Sequence, residues 1–360
     1  MDEISEFAAI ASPPDQQIAW PRIAAVAAMV AFSLPTFITG LEVYQALPPV
    51  KAILALFIGS GIIFIIGALM GVIGAKTHMS SYLLVRIAFG DRGASVVNMA
   101  FMISLIGWYG ININLFADAA ARLSGEVFGF ALPYLVWSVV AGLVMTLTCL
   151  LGFKAINGFS MAMVPILDIV TLLLFWGALD NQATGRLFTD VFVGEESLGY
   201  GISAIIGAII IGAIILPDIT RFARHWKEAI YIAFIAYIGV QLVVMLSAVL
   251  AGAATGLPDI LDVMLALGLG IGAFLIVMAG SWALNALNLY SAVLSTKATF
   301  PKLSNRLLTF GLSGLGIIAA MFNILDYFIT FLWYLSIIFV PVAGVILVDY
   351  YLIRPQAYCI

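Results

Sequence analysis

Charge is scarce in this chain. Only 9 % of its 360 residues are Asp, Glu, Lys or Arg, against about 25 % in a soluble domain. That shortage excludes a soluble globular protein, a disordered chain and a nucleic-acid binder with a basic face. Cysteine is nearly absent as well. Cys149, in an apolar run, and Cys359, one short of the last residue, are too few and badly placed for a disulfide framework. The two histidines, His78 and His225, lie far apart in sequence, so no metal site is expected. No Walker loop, dinucleotide fingerprint or paired nucleophile and base occurs, which argues against an ATP-driven pump and against an enzyme. Residues 1–20 are acidic and lack the basic start and apolar core of a signal peptide, so they read as a solvated cytoplasmic tail.

What the chain has is apolar length. Hydrophobic residues make up 64 % of it and the mean hydropathy is +1.15, which places it in a bilayer. A crossing helix needs about 20 apolar residues. Breaks at Gly, Pro and charge clusters give ten spans, at 23–46, 52–74, 94–121, 133–153, 158–178, 200–220, 229–253, 270–295, 307–325 and 328–353. Runs such as 53–74 show none of the alternation of a β-barrel strand, so the fold class is an all-α integral membrane protein. Basic residues in cytoplasmic loops set orientation. With the N-terminus inside, 12 of the 15 Lys and Arg fall on the inner side, leaving Lys51, Arg122 and Arg186 outside. The expected location is the plasma (inner) membrane with both termini cytoplasmic. Segment 257–268, too short to cross, reads as an outer helix lying on the bundle.

Ten spans divide into five and five, and helices one and six each carry an interruption: Pro35 to Gly40, and Gly207 to Gly212 with Pro217 beyond. Interrupted helices at matching places in two halves point to an inverted-repeat secondary transporter with a site near the midplane. The core is 21–354, with repeat one at about 21–178 and repeat two at about 200–354. Trp108 stands mid-span, with Ser104 and Asn112 on the same face by i, i+4 spacing, so an indole could stack a flat ring while an amide one turn on bonds its edge. Helix eight carries Asn285 and Asn288 three apart; each amide could read a heterocycle's edge or tie helices together. Intramembrane acids are costly and by default functional. Glu42 and Asp118 lie near the outer interface and Asp168 deeper, three residues after Pro165.

Several segments also carry a family likeness. Gly74-Ala75-Lys76-Thr77 continuing through Arg86 to Gly93, Gly107-Trp108-Tyr109-Gly110, Asp218 to Arg224 with its D-x-x-R-F pattern, Trp282 with Asn285, Leu289 and Tyr290, and Gly344 to Tyr350 occur in order over 21–354. Together they resemble nucleobase cation symporter family 1, and its cytosine permeases in particular. The resemblance implies the leucine-transporter fold, two inverted five-helix repeats. Family members usually have twelve helices, so the ten-helix core is implied without the usual last pair. It also implies import of a nucleobase or related nitrogenous heterocycle, cytosine-like, coupled to a cation by alternating access.

Carried over residue by residue, the resemblance places a substrate-stacking tryptophan at Trp108. The expected substrate-binding positions are then Trp108 with Asn112, Asn285, Asn288, Ile209 and Gly212. The chain departs from the cytosine permeases at Leu105, where they have glutamine, and at Ala208 to Ile211, where they carry serine. It departs again at Ala283 and Leu284, where they have threonines that help hold sodium. Cation coupling is then expected from Asp168, Glu42 and freed carbonyls near Ser33, with Na+ or H+ as the ion. No cofactor, nucleic acid or obligate protein partner is expected beside the small-molecule substrate and the lipid bilayer. The alternative reading is a non-transporting receptor or sensor on the same fold.

Overall fold

A computed structural model describes residues 17–130, 132–180, 183–188, 194–322 and 327–358. Most of the acidic tail and Cys359 lie outside them. Every regular element among the described residues is a helix, because long apolar segments in lipid must satisfy every backbone group internally. The first span is a bent pair, α1 (Trp20–Ala31) and α2 (Leu34–Ala46), meeting at 53°. Then follow α3 (Pro49–Thr77), α4 (Ser81–Phe128), α5 (Tyr134–Leu150), α6 (Phe153–Asp180), α7 (Leu198–Ile214) and the short α8 (Pro217–Thr220). After these come α9 (Trp226–Thr255), α10 (Ile260–Ala266), α11 (Gly270–Thr299), α12 (Asn305–Ala320) and α13 (Phe328–Ile353).

Among the described residues, seven helices are long and apolar enough to cross a membrane, and the bent pair makes an eighth span. The other two expected crossings fall on α5 and α12, which have 17 and 16 residues. At 1.5 Å per residue they reach about 25 Å, short of a hydrocarbon core of about 30 Å. The bundle shows lipid an apolar face: Leu143, Leu147, Leu173, Trp176 and Ile337 are all exposed.

Both breaks differ in place from the sequence expectation. In span one the helix stops at Phe32 and Ser33, and the stretch Pro35 to Gly40 is helical. Pro35 sits in the first turn of α2, where a missing N–H costs nothing. In span six, Gly207 to Gly212 runs on as regular helix and the chain turns at Ile215 and Leu216, just ahead of Pro217. Proline has no N–H to give the helix and its ring clashes with the carbonyl four residues back, so it breaks span six where the glycines do not. Gly207 serves packing: a Cβ there would lie 1.9 Å from the Leu332 carbonyl oxygen, so α7 and α13 touch backbone to backbone.

Two fixtures hold the bundle around those breaks. The Tyr109 hydroxyl reaches the Gly142 carbonyl at 3.0 Å and the Ser313 hydroxyl at 3.2 Å, pinning α4 to α5 and α12. At the other end, Asp218 of α8 accepts from the backbone N–H and the hydroxyl of Ser81, both at 2.8 Å, while Thr220 donates to the Gly71 carbonyl at 3.0 Å. The D-x-x-R segment therefore anchors span six to α3 and to the start of α4. Gly90, with φ +70°, kinks α4 where only glycine is comfortable, separating this inner segment from the crossing part. The expected outer helix is α10, and Arg122 ties it to α4 through Asp259 and Asp262 at 3.3 and 2.5 Å.

Candidate functional site

The two breaks face one apolar cavity. Ser33, Pro35 and Thr36 line it from span one, Ile209, Gly212 and Leu216 from span six, Trp108 from α4, and Leu284 and Asn288 from α11. Of the expected substrate positions, Trp108, Ile209, Gly212 and Asn288 are thus brought together, with Ser33 beside them. Trp108 is held edge-on by two rings, Phe331 at 5.5 Å and Phe328 at 6.1 Å between centroids. Phe328 also lines a second cavity, whose walls include Leu34, Glu42, Asp118 and Asp259. The Trp108–Phe328 contact therefore partitions two chambers, and the break of span one lies at the partition, since Ser33 and Pro35 face one chamber and Leu34 the other.

The remaining expected residues stand elsewhere, and each has a physical reason. Asn285 is fully buried and does not line the cavity. Its Nδ2 donates to the Tyr109 carbonyl at 3.0 Å, and its Oδ1 accepts from Asn288 at 3.4 Å. Its amide works as glue between α11 and α4. Asn112 donates to the Trp108 carbonyl at 2.8 Å, turned back on its own helix instead of toward a ligand. Asp168, expected to couple the cation, is exposed on the outer face of α6 next to the exposed Ile169 and Leu172. The helical phase of α6 sends Leu167 and Val170 inward in its place. Glu42, expected to couple the cation, is exposed in the second chamber with Asp118.

Two polar groups near the breaks, Gln241 and Ser281, were not singled out by motif reading. Gln241 is fully buried, lines the main cavity, and has neither amide atom hydrogen-bonded. The Ser281 hydroxyl is also buried without a partner. Its neighbour Gly280 abuts the break, since a Cβ there would lie 2.3 Å from the Phe32 carbonyl oxygen. Asp218 lines the inner end of the cavity while holding Ser81. The signal available for Gln241 was its polarity within an otherwise apolar span.

An all-helical bundle whose first and sixth spans break beside one shared chamber defines a membrane transporter of the broken-helix class. Known proteins agree on the fold. The nucleobase-cation-symport-1 transporter Mhp1, in a closed conformation with bromovinylhydantoin bound, superposes with a TM-score of 0.76 at 19 % identity, over 95 % of this chain and 81 % of that one. Its inward-facing conformation gives 0.78 at 16 % identity, over 97 % and 80 %. MhsT in complex with L-phenylalanine gives 0.68 at 15 %, over 91 % and 88 %. In sequence, the cytosine permease of Escherichia coli K12 is 28 % identical over 303 residues, 84 % of this chain and 70 % of the relative. Residues 20–360 match the model of the family described as permeases for cytosine/purines, uracil, thiamine and allantoin. The chain belongs to that permease family, which is one of transporters and not of enzymes.

Proposed function

We propose that the chain imports a nucleobase or related flat nitrogenous heterocycle, cytosine-like in class, in symport with a cation and by alternating access. One observation carries this reading: Trp108 and Asn288 converge with both helix breaks on a single chamber. An indole offers a stacking face worth about 1 to 3 kcal/mol per base, and an amide offers the donor and acceptor that a ring edge needs. The apolar remainder, Ile209, Ile211 and Leu284 among it, suits the rest of a flat ring. The second chamber, across the Trp108–Phe328 partition, supplies the route on the opposite side.

The coupling ion is Na+ or H+, carried as cargo. Sodium needs several oxygens, and positions 283 and 284 are Ala and Leu. The oxygens on offer instead are the Phe32 carbonyl beside Gly280 and the unpartnered Ser281 hydroxyl, while the Ser33 carbonyl already accepts from the Thr36 N–H at 3.0 Å. Asp168, on the outer face, is poorly placed to join them. The location proposed is the inner (plasma) membrane with both termini cytoplasmic and ten crossings, on the strength of the basic residues in the inner loops.

Proteoliposome uptake tests the reading. Labelled cytosine, uracil and hypoxanthine are offered with sodium and pH gradients imposed separately. Accumulation of at least one ring, driven by one of the two gradients, is the expected result. No accumulation of any of them under either gradient would refute the proposed transport.

A further inference from the structure

Within α9 the backbone widens into a π-helix from Ile235 to Gln241, where the N–H of Leu242 donates to the Tyr237 carbonyl five residues back. Such turns re-aim side chains and gather at functional sites. Gln241 ends this one. Its side chain is fully buried, lines the main cavity, and leaves both Nε2 and Oε1 without a hydrogen-bond partner. A buried amide left unpaired at both ends opposes folding, so it calls for a partner that arrives later. Its depth is fixed by packing on span one. The π segment lies against α1, and just beyond it the Met245 backbone lies against Gly40 of α2, with 2.8 Å from Met245 Cα to a Cβ built at Gly40. Gln241, between those contacts, lines the same chamber as Ser33 of the break and Trp108.

We propose that the Gln241 amide determines specificity by reading the polar edge of the transported ring, while Trp108 meets its face. The inference rests on the heterocycle-carrier reading above. The chemistry it selects is an adjacent donor and acceptor on one edge, as in a lactam or an amino-substituted imine. The glutamine carbonyl accepts from the ring N–H or exocyclic amine, and its NH2 donates to the neighbouring carbonyl or ring nitrogen. A ring with no such edge gains nothing from this residue.

The test is equilibrium binding of labelled cytosine, uracil and unsubstituted pyrimidine to the purified full chain, with thermal unfolding of the ligand-free protein beside it. Gln241→Met keeps length and removes both polar atoms. It should weaken whichever of cytosine and uracil the wild type binds by about tenfold or more and leave pyrimidine unaffected. The ligand-free protein should melt no earlier, because an orphaned buried amide has gone. Gln241→Glu, which as a carboxylate keeps the acceptor and loses the donor, should weaken binding of either ring, because the neighbouring carbonyl or ring nitrogen then faces an oxygen. Unchanged affinity in Gln241→Met overturns the proposal. So does a lower melting temperature with intact binding, which marks a packing role, or loss of sodium dependence with ring affinity intact, which marks a cation ligand. A wild type that binds none of the three rings overturns the carrier reading itself and this proposal with it.

Discussion

Asn285 and Asn288 show what residue spacing can and cannot tell. Three positions apart on a helix, they differ by about 60° around its axis, and both remain on one broad face. That separation is enough to send Asn285 into the α4 backbone at 3.0 Å while Asn288 reaches the cavity. Asn285→Ala would leave the Tyr109 carbonyl without its donor and should lower stability by about 1 kcal/mol, read as an earlier thermal midpoint in detergent. Trp108→Ala should do the reverse: it should weaken ring binding by roughly 1 to 3 kcal/mol and keep the fold, measured by equilibrium binding and by elution as a single species. Equal ring affinity in that variant would remove the stacking role. Trp108 was legible through the family likeness of Gly107-Trp108-Tyr109-Gly110 and the face it shares with Ser104 and Asn112. Gln241 was not, since a π turn inserts an extra residue and shifts the helical phase by about 100°, so a regular wheel points the side chain to the wrong face.

At the scale of the element, proline and glycine look alike in a sequence and act differently in the bundle. The pair of interrupted spans was legible in outline. Its position in span six was not, because a glycine run inside a membrane helix signals either a break or a close approach, and only the neighbouring helix decides. Leu332 decides it here, with its carbonyl against Gly207. Gly207→Val should separate α7 from α13 and cost at least about 3 kcal/mol, since the obstacle is backbone and cannot turn aside; folded yield and thermal midpoint report it. Gly212, with open space around it, should accept alanine with little loss of fold. Gly90→Ala is a different case, an empty surround with φ at +70°. It should cost about 1 to 3 kcal/mol of backbone strain without any clash, so a second-site change in packing should not repair it. The misplacement of Asp168 has the same kind of cause: nothing in the sequence of α6 fixes which stripe faces the bundle, because apolar residues surround the helix on all sides.

For the whole molecule, the decisive feature is that two chambers approach each other across one aromatic contact without joining. Trp108 belongs to the wall of one, Phe328 to the wall of the other, and the break of span one changes sides between Ser33 and Leu34. The first chamber was legible in outline through Trp108, Ile209, Gly212 and Asn288, whereas the second was not, since its walls come from spans distant along the chain. In an alternating-access carrier the two must not be open to water at once, and a ring held at Trp108 should bias the choice. Single cysteines test this in a background carrying Cys149→Ala and Cys359→Ser. One is placed at Leu261, on α10 in the wall of the second chamber, and one at Ile219, beside Asp218 in the wall of the first. A membrane-impermeant thiol reagent is applied from either side of oriented vesicles. The proposed orientation, with the basic loops inside, puts Ile219 on the cytoplasmic side and Leu261 outside, so each should react only with reagent from its own side. Adding cytosine should slow one labelling rate and raise or preserve the other, because a ligand shifts a two-state equilibrium only by binding one state better. Reaction of both cysteines from the same side would refute the orientation. Equal slowing of both by the ring would mean that the ligand closes the molecule on either side, and alternation would then need a different partition from Trp108 and Phe328.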